Sequence, residues 1–299
     1  MPELRSPALL CAFTGWPDAG TGASGALDFL IMKWAPRRFA EIDTRTICVQ
    51  TQHRPIVRRV NEQERRLNWP EMALFALPLP NAQRDLILLL GPEPDLLWRT
   101  CAEQLIALAD RLQVETVVSL GALLAPVPHA GPVYRTGRSS RLDLRRRLRA
   151  LGIRDSNYQG PTGFPTILLD AASRRGMATA SVWAANPIYL RGLPNAKLSA
   201  SLLRAVEFLL QVDVGVTELE VAGRDLELRI DDELRNRPDL ERFVRRLAGD
   251  EGEDADPATR DDEPRGSLEP PDRAAGGPLP PSEEILESLE QYLRRLRDQ

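Results

Sequence analysis

Histidine is scarce in this chain: there are two, His53 and His129, with no His-x-x-x-His or His-Glu-x-x-His pair. The three cysteines, Cys11, Cys48 and Cys101, form no Cys-x-x-Cys, and each falls in an apolar segment. Zinc sites call for clustering of these two residue types, so no metal is expected; three buried, reduced thiols fit a cytoplasmic protein better than a disulfide framework. No apolar run approaches the ~20 residues of a membrane helix, and Met1 to Arg5 lacks a basic region followed by an apolar one. No membrane partner is expected. Positive charge is not in excess either: 39 Lys and Arg stand against 43 Asp and Glu, a net −4, which gives no reason to expect nucleic acid. A Gly-x-x-x-x-Gly-Lys-Ser/Thr phosphate loop is missing too, so no cofactor is expected.

What is present suits a globular protein. The 299 residues are 42% hydrophobic and 27% charged, enough for one large or two ordinary domains with a sizeable core. Ala8 to Phe13 reads as a buried strand, and Gly15 to Leu30 leads from it through a glycine-rich loop into a helix. There Ala23, Ala26, Leu27, Leu30, Ile31 and Trp34 recur at helical spacing. Thr46 to Val49 is the predicted second strand, Thr51 to Pro70 is polar and irregular, and Met72 to Leu77 and Leu86 to Leu90 are further strands. From Asp95, the predicted cap, Leu97, Cys101, Leu105, Leu108 and Leu112 line one helix face. Glu115 to Leu120 is a central strand ending at Gly121, followed by a proline-rich loop over Leu123 to Tyr134.

A basic helix over Leu142 to Leu151, a helix from Pro165 to Arg175, a strand over Ala178 to Ala184 and an amphipathic helix over Ala196 to Leu210 complete the alternation. Such alternation predicts an α/β fold, a mixed sheet covered by helices on both faces, with a C-terminal helical extension. The predicted organisation is an α/β domain over 1–218 and a helical extension over 219–248, interrupted at Pro238. An acidic, proline-rich linker over 249–281 is predicted to be disordered. An amphipathic helix over 282–299 follows it, with Ser282 as cap. Its stripe of Ile285, Leu286, Leu289, Leu293 and Leu296 must dock on its own core or on a neighbouring subunit.

The ordered motifs resemble the proteasome assembly chaperone family of the second type, in particular its bacterial branch. Five segments carry the resemblance: Gly15-Trp16-Pro17-Asp18-Ala19-Gly20, Gly91-Pro92-Glu93-Pro94 before a helix bearing Trp98, and Ser119-Leu120-Gly121-Ala122 with Val127-Pro128-His129. The others are Tyr158-Gln159-Gly160-Pro161-Thr162-Gly163 and Trp183-Ala184-Ala185-Asn186-Pro187-Ile188-Tyr189. The resemblance implies a fold like that of purine nucleoside phosphorylases and a homo-oligomer, trimers among them. It also implies that relatives help build the α-ring of the proteasome, which makes proteasome subunits or another assembling complex the expected partners. Some members are labelled ATP-grasp ligases. Archaeal relatives end in a hydrophobic–tyrosine–any tripeptide, whereas this chain ends Arg297-Asp298-Gln299 and keeps its tyrosine at Tyr292, so the likeness stops short of that tail.

Loops at strand ends supply the candidate site: Gly15, Trp16, Asp18, Gly20, Gly121, His129, Gly160, Thr162, Gly163, Asn186 and Tyr189. Each has two readings. The glycines bring backbone close to an anion or a partner, or simply let the first helix sit tightly on its sheet. Gly20-Thr21-Gly22-Ala23-Ser24-Gly25 spells Gly-x-Gly-x-x-Gly but lies inside the helix rather than the turn, so dinucleotide binding is not expected. His129 is a general base or a loop histidine tied to backbone; Thr162 is a phosphate contact or a helix cap. Asn186 and Tyr189 line the same cleft or mark a turn at Pro187. Arg145, Arg146, Arg147 and Arg149 read as a solvated basic face. With no recognisable catalytic set, the expected function is a non-catalytic assembly or scaffold factor. The alternative is an enzyme or binder of a nucleoside, nucleotide or phosphate at the strand-end cleft.

Overall fold

Ala8–Thr14 forms β1, with six of its seven residues buried, and this strand is the axis of the molecule. The computed structural model describes residues 2–248. The predicted linker over 249–281 and last helix over 282–299 therefore lie outside the described residues. After β1, a 3₁₀ turn over Ala19–Thr21 leads into α1, Gly22–Trp34. β2 (Arg37–Ile42) follows, then the one-turn α2 (Thr44–Ile47), the hairpin of β3 (Ile56–Arg59) and β4 (Arg65–Asn68), β5 (Met72–Leu77) and β6 (Leu86–Pro92). α3 (Trp98–Arg111) crosses to β7 (Thr116–Ala125), and β8 (Arg135–Ser139), α4 (Leu142–Ala150) and α5 (Phe164–Arg174) lead to β9 (Ala178–Pro187). α6 (Ala196–Leu210), α7 (Thr217–Arg235) and α8 (Pro238–Ala248) close the described chain.

Seven strands make one mixed sheet in the order β2-β5-β6-β1-β7-β9-β8. The inner four run parallel, and the three outer strands join antiparallel. β-Branched and leucine-rich runs form the inner strands because helices cover both of their faces, so neither set of alternating side chains meets water. On one face Ala8, Leu10 and Ala12 pack with α1, α4 and α6 through Leu27, Leu30, Leu144, Leu148, Leu202 and Val206. On the other, Leu9, Cys11 and Phe13 pack with α3 and α5 through Cys101, Leu105, Phe164 and Leu168. Each fully buried large side chain contributes about 1.5–3 kcal/mol. The rings of Phe13 and Phe164 meet edge to face at 5.0 Å. A third, smaller cluster joins Tyr189, Leu190 and Leu193 to Leu234, Leu240 and Val244, which fastens α7 and α8 to the segment leaving β9. Among the described residues no helix is long and apolar enough to cross a membrane.

Four local expectations are corrected. Thr46 to Val49 is not a strand: Asp43 accepts a hydrogen bond from the Arg45 N–H (3.0 Å) and starts α2 there, while the second strand is the half-exposed edge segment Arg37–Ile42. Asp95 does not cap α3. The helix starts after Leu97, and Asp95 turns instead to the Val49 N–H. β7 does not stop at Gly121 but runs on to Ala125, paired with β9 through Ala125↔Pro187. Finally, α7 begins at Thr217 and continues through 218 and 219, earlier than the apolar stripe from Leu226 suggests.

Candidate functional site

Three neighbouring polar sets, joined internally by hydrogen bonds, gather the strand-end residues. The first belongs to the turn after β1. Gly15 sits at φ +115°, a conformation that excludes most side chains, and its carbonyl accepts from the Asp18 N–H at 3.2 Å. The chain then pairs with β7: the Ala122 N–H donates to the Pro17 carbonyl at 2.8 Å, and Asp18 bridges to Ala122. Asp18 is buried, and its Oδ1 accepts from the Ala23 and Ser24 N–H groups at 2.8 and 3.1 Å. These are orphan donors of the first turn of α1, so the carboxylate anchors the helix start. Burial pushes the Asp18 carboxyl above the ordinary range, and the hydrogen bonds from Ser24 and Ala23 only partly offset it.

Gly20 holds this set against β9. A Cβ there, at φ +62°, would lie 2.7 Å from Asn186 Nδ2, and its carbonyl accepts from the Asn195 N–H at 2.9 Å. Asn186 is fully buried, its Oδ1 accepting from Asn195 Nδ2 at 3.0 Å and its Nδ2 donating to the Leu190 carbonyl at 3.4 Å. Gly121 lies on β7 beneath Trp183, where a Cβ would meet the indole ring at 2.6 Å.

The second set is at the ends of β6 and α5. Glu93 Oε1 accepts from the Phe164 N–H at 2.7 Å and so caps α5 from a distant part of the chain. A Cβ on Gly163 would strike that same oxygen at 2.7 Å and would approach the Trp16 ring at 3.4 Å. Trp16 itself is 62% exposed. Thr162 is exposed and bonds to Thr166 Oγ1 at 2.6 Å rather than to a backbone N–H, so the cap reading for Thr162 passes to Glu93. Gly160 is held under the Tyr158 hydroxyl, which donates to the Pro161 carbonyl at 2.7 Å. Burial raises the Glu93 carboxyl above its ordinary range despite the hydrogen bond from Phe164.

In the third set His129 is buried between Tyr189 and Asp231. Its Nδ1 lies 2.8 Å from the Tyr189 hydroxyl, which also accepts from the His129 N–H at 2.6 Å, and its Nε2 lies 2.9 Å from Asp231 Oδ1. The tyrosine hydroxyl is raised, first by burial. Lys197 donates to the carbonyls of His129 and Gly131 at 2.6 and 2.5 Å and pairs with Glu227. A cavity of about 190 Å³ opens beside this set, lined by His129, Tyr134, Pro187, Asn195 and Lys197 among others.

The expected convergence of Asp18, His129, Thr162 and Asn186 is thus divided. Asp18 and Asn186 approach each other through Gly20, His129 joins Tyr189 and α7, and Thr162 stands in solvent near Glu93 and Trp16. Sequence reasoning missed Glu93, Asp231 and Lys197 as members; Glu93 stood in a quoted motif, while Asp231 belongs to a charged helix with no pattern to single it out. Sequence reasoning also missed Cys48, His53 and Asp95. The lack of cysteine–histidine clustering holds along the chain but not in space, since one ligand atom from each lies within 4.8 Å of the others. Burial pushes the Cys48 thiol up to about 11, with the charge of Asp95 adding to it.

The model of the PAC2 family matches residues 12–234. The chain belongs to the PAC2 family. Among solved structures, a PAC2 family protein from Streptomyces avermitilis is 35% identical, covering 76% of this chain and 95% of that one, with a TM-score of 0.69. A proteasome-assembly chaperone homologue from Mycobacterium tuberculosis is 34% identical over 79% of this chain and 99% of its own, with a TM-score of 0.71. An archaeal proteasome activator from Pyrococcus furiosus, 17% identical over 78% of this chain and 95% of its own, shares the fold with a TM-score of 0.63. No curated protein matches. The resemblance read from the five motifs is therefore shown, and each motif takes part in a close contact: Gly163 against Glu93, Gly121 against Trp183, and Gly20 against Asn186. In this PAC2 protein those motifs meet one another as much as they face solvent.

Proposed function

We propose that the chain is a non-catalytic protein-assembly or scaffold factor, working as a cytoplasmic homo-oligomer on proteasome subunits or another assembling complex. The observation that carries this reading is the internal use of the strand-end polar groups. Asp18 holds the start of α1, Asn186 is spent on Asn195 and Leu190, and His129 is sandwiched between Tyr189 and Asp231. A reacting group needs polar atoms free for substrate, whereas both ring nitrogens of His129, the amide of Asn186 and Oδ1 of Asp18 already have partners within the chain. Apolar side chains around the same edge face outward instead: Trp16, Leu96, Leu97 and Tyr158, of which Trp16 and Leu97 are more than half exposed. Large apolar groups left in water at one edge favour a protein partner. The mycobacterial relative at 34% identity, called a proteasome-assembly chaperone homologue, supports the choice of client.

The alternative, a nucleoside or nucleotide site, has the cavity beside His129 and Lys197 in its favour. At about 190 Å³ it falls below the ~300–1,000 Å³ that ligand pockets of that class occupy. Mixing the purified chain with isolated proteasome α- and β-subunits and following ring formation by native mass spectrometry tests the proposal. Faster assembly, lost on Trp16→Ala, is expected, with a homo-oligomer of the chain alone, trimers included. Unchanged assembly together with a thermal shift on adding a nucleotide would transfer the function to the alternative.

A further inference from the structure

We propose that Cys48, His53 and Asp95 form a zinc site with three protein ligands and an open fourth position. This goes beyond the assembly role and does not depend on it. The trio is drawn from two distant stretches of chain, yet backbone bonds fix both. Asp43 starts α2 by accepting from the Arg45 N–H, and the Cys48 N–H donates to the Thr44 carbonyl at 2.8 Å, which sets the sulfur at the end of that single turn. The next turn closes with the His53 N–H donating to the Val49 carbonyl at 3.0 Å. The segment after β6 is stitched to the same place: the Asp95 and Leu96 N–H groups donate to the Ile47 carbonyl at 2.8 and 3.0 Å. The Val49 N–H donates in turn to Asp95 Oδ2 at 2.5 Å.

His53 Nε2 consequently lies 3.2 Å from Asp95 Oδ2, and the Cys48 sulfur lies within 4.8 Å of a ring nitrogen of His53 and a carboxylate oxygen of Asp95. Tetrahedral zinc, with bonds of about 2.0–2.3 Å, places its ligand atoms about 3.3–3.8 Å apart, so the nitrogen and oxygen are already at working distance and the sulfur needs a shift of no more than about 1.5 Å. The donor set selects the metal. Magnesium and calcium take oxygen ligands only, while sulfur, imidazole and one carboxylate together suit zinc. Among the described residues no fourth cysteine, histidine, aspartate or glutamate joins the trio, which leaves one position for water or for a donor from a partner. His53 and Asp95 are partly exposed, at 19% and 27%, so an ion has a path in, whereas Cys48 forms the buried floor. Such an ion would clamp the root of the exposed β3–β4 hairpin to the loop between β6 and α3.

The bland competitor is a His53–Asp95 ion pair that merely closes the turn. Full-length protein stripped with chelator and titrated with cobalt(II) distinguishes them. One equivalent should produce a thiolate-to-cobalt charge-transfer band with the strong visible bands of four-coordination, and zinc should displace it. Cys48→Ser is expected to abolish the charge-transfer band, while Cys101→Ala, which removes the neighbouring thiol, leaves it. His53→Ala and Asp95→Asn should each weaken zinc by at least the ~10–100-fold that even outer-shell partners carry. Asp95→Asn still accepts from the Val49 N–H, so it keeps the turn intact. A missing band, a band that survives Cys48→Ser, or zinc affinity unchanged in His53→Ala would each leave the ion pair as the whole story.

Discussion

Substituting Asp18 by alanine and by asparagine separates a helix anchor from a reacting carboxylate. Asp18 Oδ1 satisfies the Ala23 and Ser24 N–H groups, both on buried residues at the start of α1. Alanine removes the acceptor. Loss of a cap costs about 0.5–2 kcal/mol and a buried donor left unpaired about 1–3 kcal/mol, so a net loss of about 2–3 kcal/mol is expected. In a chain of this size, at about 2.1 cal/mol/K of unfolding entropy per residue, that corresponds to a fall in Tm of about 3–5 °C. Asparagine keeps a carbonyl oxygen in the same place and carries no charge to be desolvated. Because burial raises the Asp18 carboxyl in the folded state, the native protein keeps its proton to higher pH than the unfolded chain does. Stability should therefore fall as pH rises from the unfolded value near ~3.9 through the raised folded value, then level off. Asp18→Asn removes that fall, and at neutral pH it should be as stable as the native protein or more so. Urea denaturation of all three proteins between about pH 4 and pH 8 reads both effects. An asparagine variant as damaged as the alanine one, or an alanine variant within ~0.5 kcal/mol of native, would refute the anchor.

Three further perturbations test other parts of the frame. Gly121→Ala drives a methyl to within 2.6 Å of the Trp183 ring, so it should cost about 1–3 kcal/mol and change the intrinsic tryptophan fluorescence of the folded state. Asp231→Ala deprives His129 Nε2 of its partner; about 0.5–1.5 kcal/mol should be lost, with hydrogen exchange accelerated in α7 and α8 but not in β1. At the far edge, burial opposes the charge of Asp85, but the bonds from Arg5 and Leu79 outweigh it and hold the carboxyl below its ordinary range. Its contribution is complete above the unfolded value and is lost as pH falls through the folded one. Asp85→Asn should flatten the acid limb of the stability profile; an unaltered limb would remove Asp85 from it.

Much of the sheet is visible in the sequence because its inner strands are long apolar runs, and α6 occupies the predicted Ala196–Leu210. The edge strands are not. Arg37–Ile42 is only half apolar and wholly without fully buried residues because its pairing is with β5 alone and its outer side meets water, so no continuous apolar run marks it. Thr46 to Val49 has the β-branched look of a strand, but the Asp43 cap decides for a helical turn. Asp95 looks like a cap by position and type, and tertiary contact claims its side chain for Val49 instead. At the candidate site the motif glycines and Asp18 are legible because close backbone approach restricts residue type locally. Partnerships between elements far apart in sequence, such as His129 with Asp231, Glu93 with Phe164 and His53 with Asp95, leave no periodic trace. Such pairs are created by topology, and a one-dimensional pattern has no means of recording them.

The position of β1 at the centre of the sheet also orders events during synthesis. Its flanking partners are β6, through Ala8↔Leu86, and β7, through Ala8↔Thr116. A ribosome adding ~5–20 residues per second must work for on the order of ten seconds after β1 emerges before β7 exists to receive it. Both hydrogen-bonding edges of this apolar strand stay open until β6 is made, and one stays open until β7 follows, a template for misdirected pairing. Nascent-chain binding by trigger-factor-like or holdase proteins should peak at lengths short of β7 and drop once it has cleared the exit tunnel.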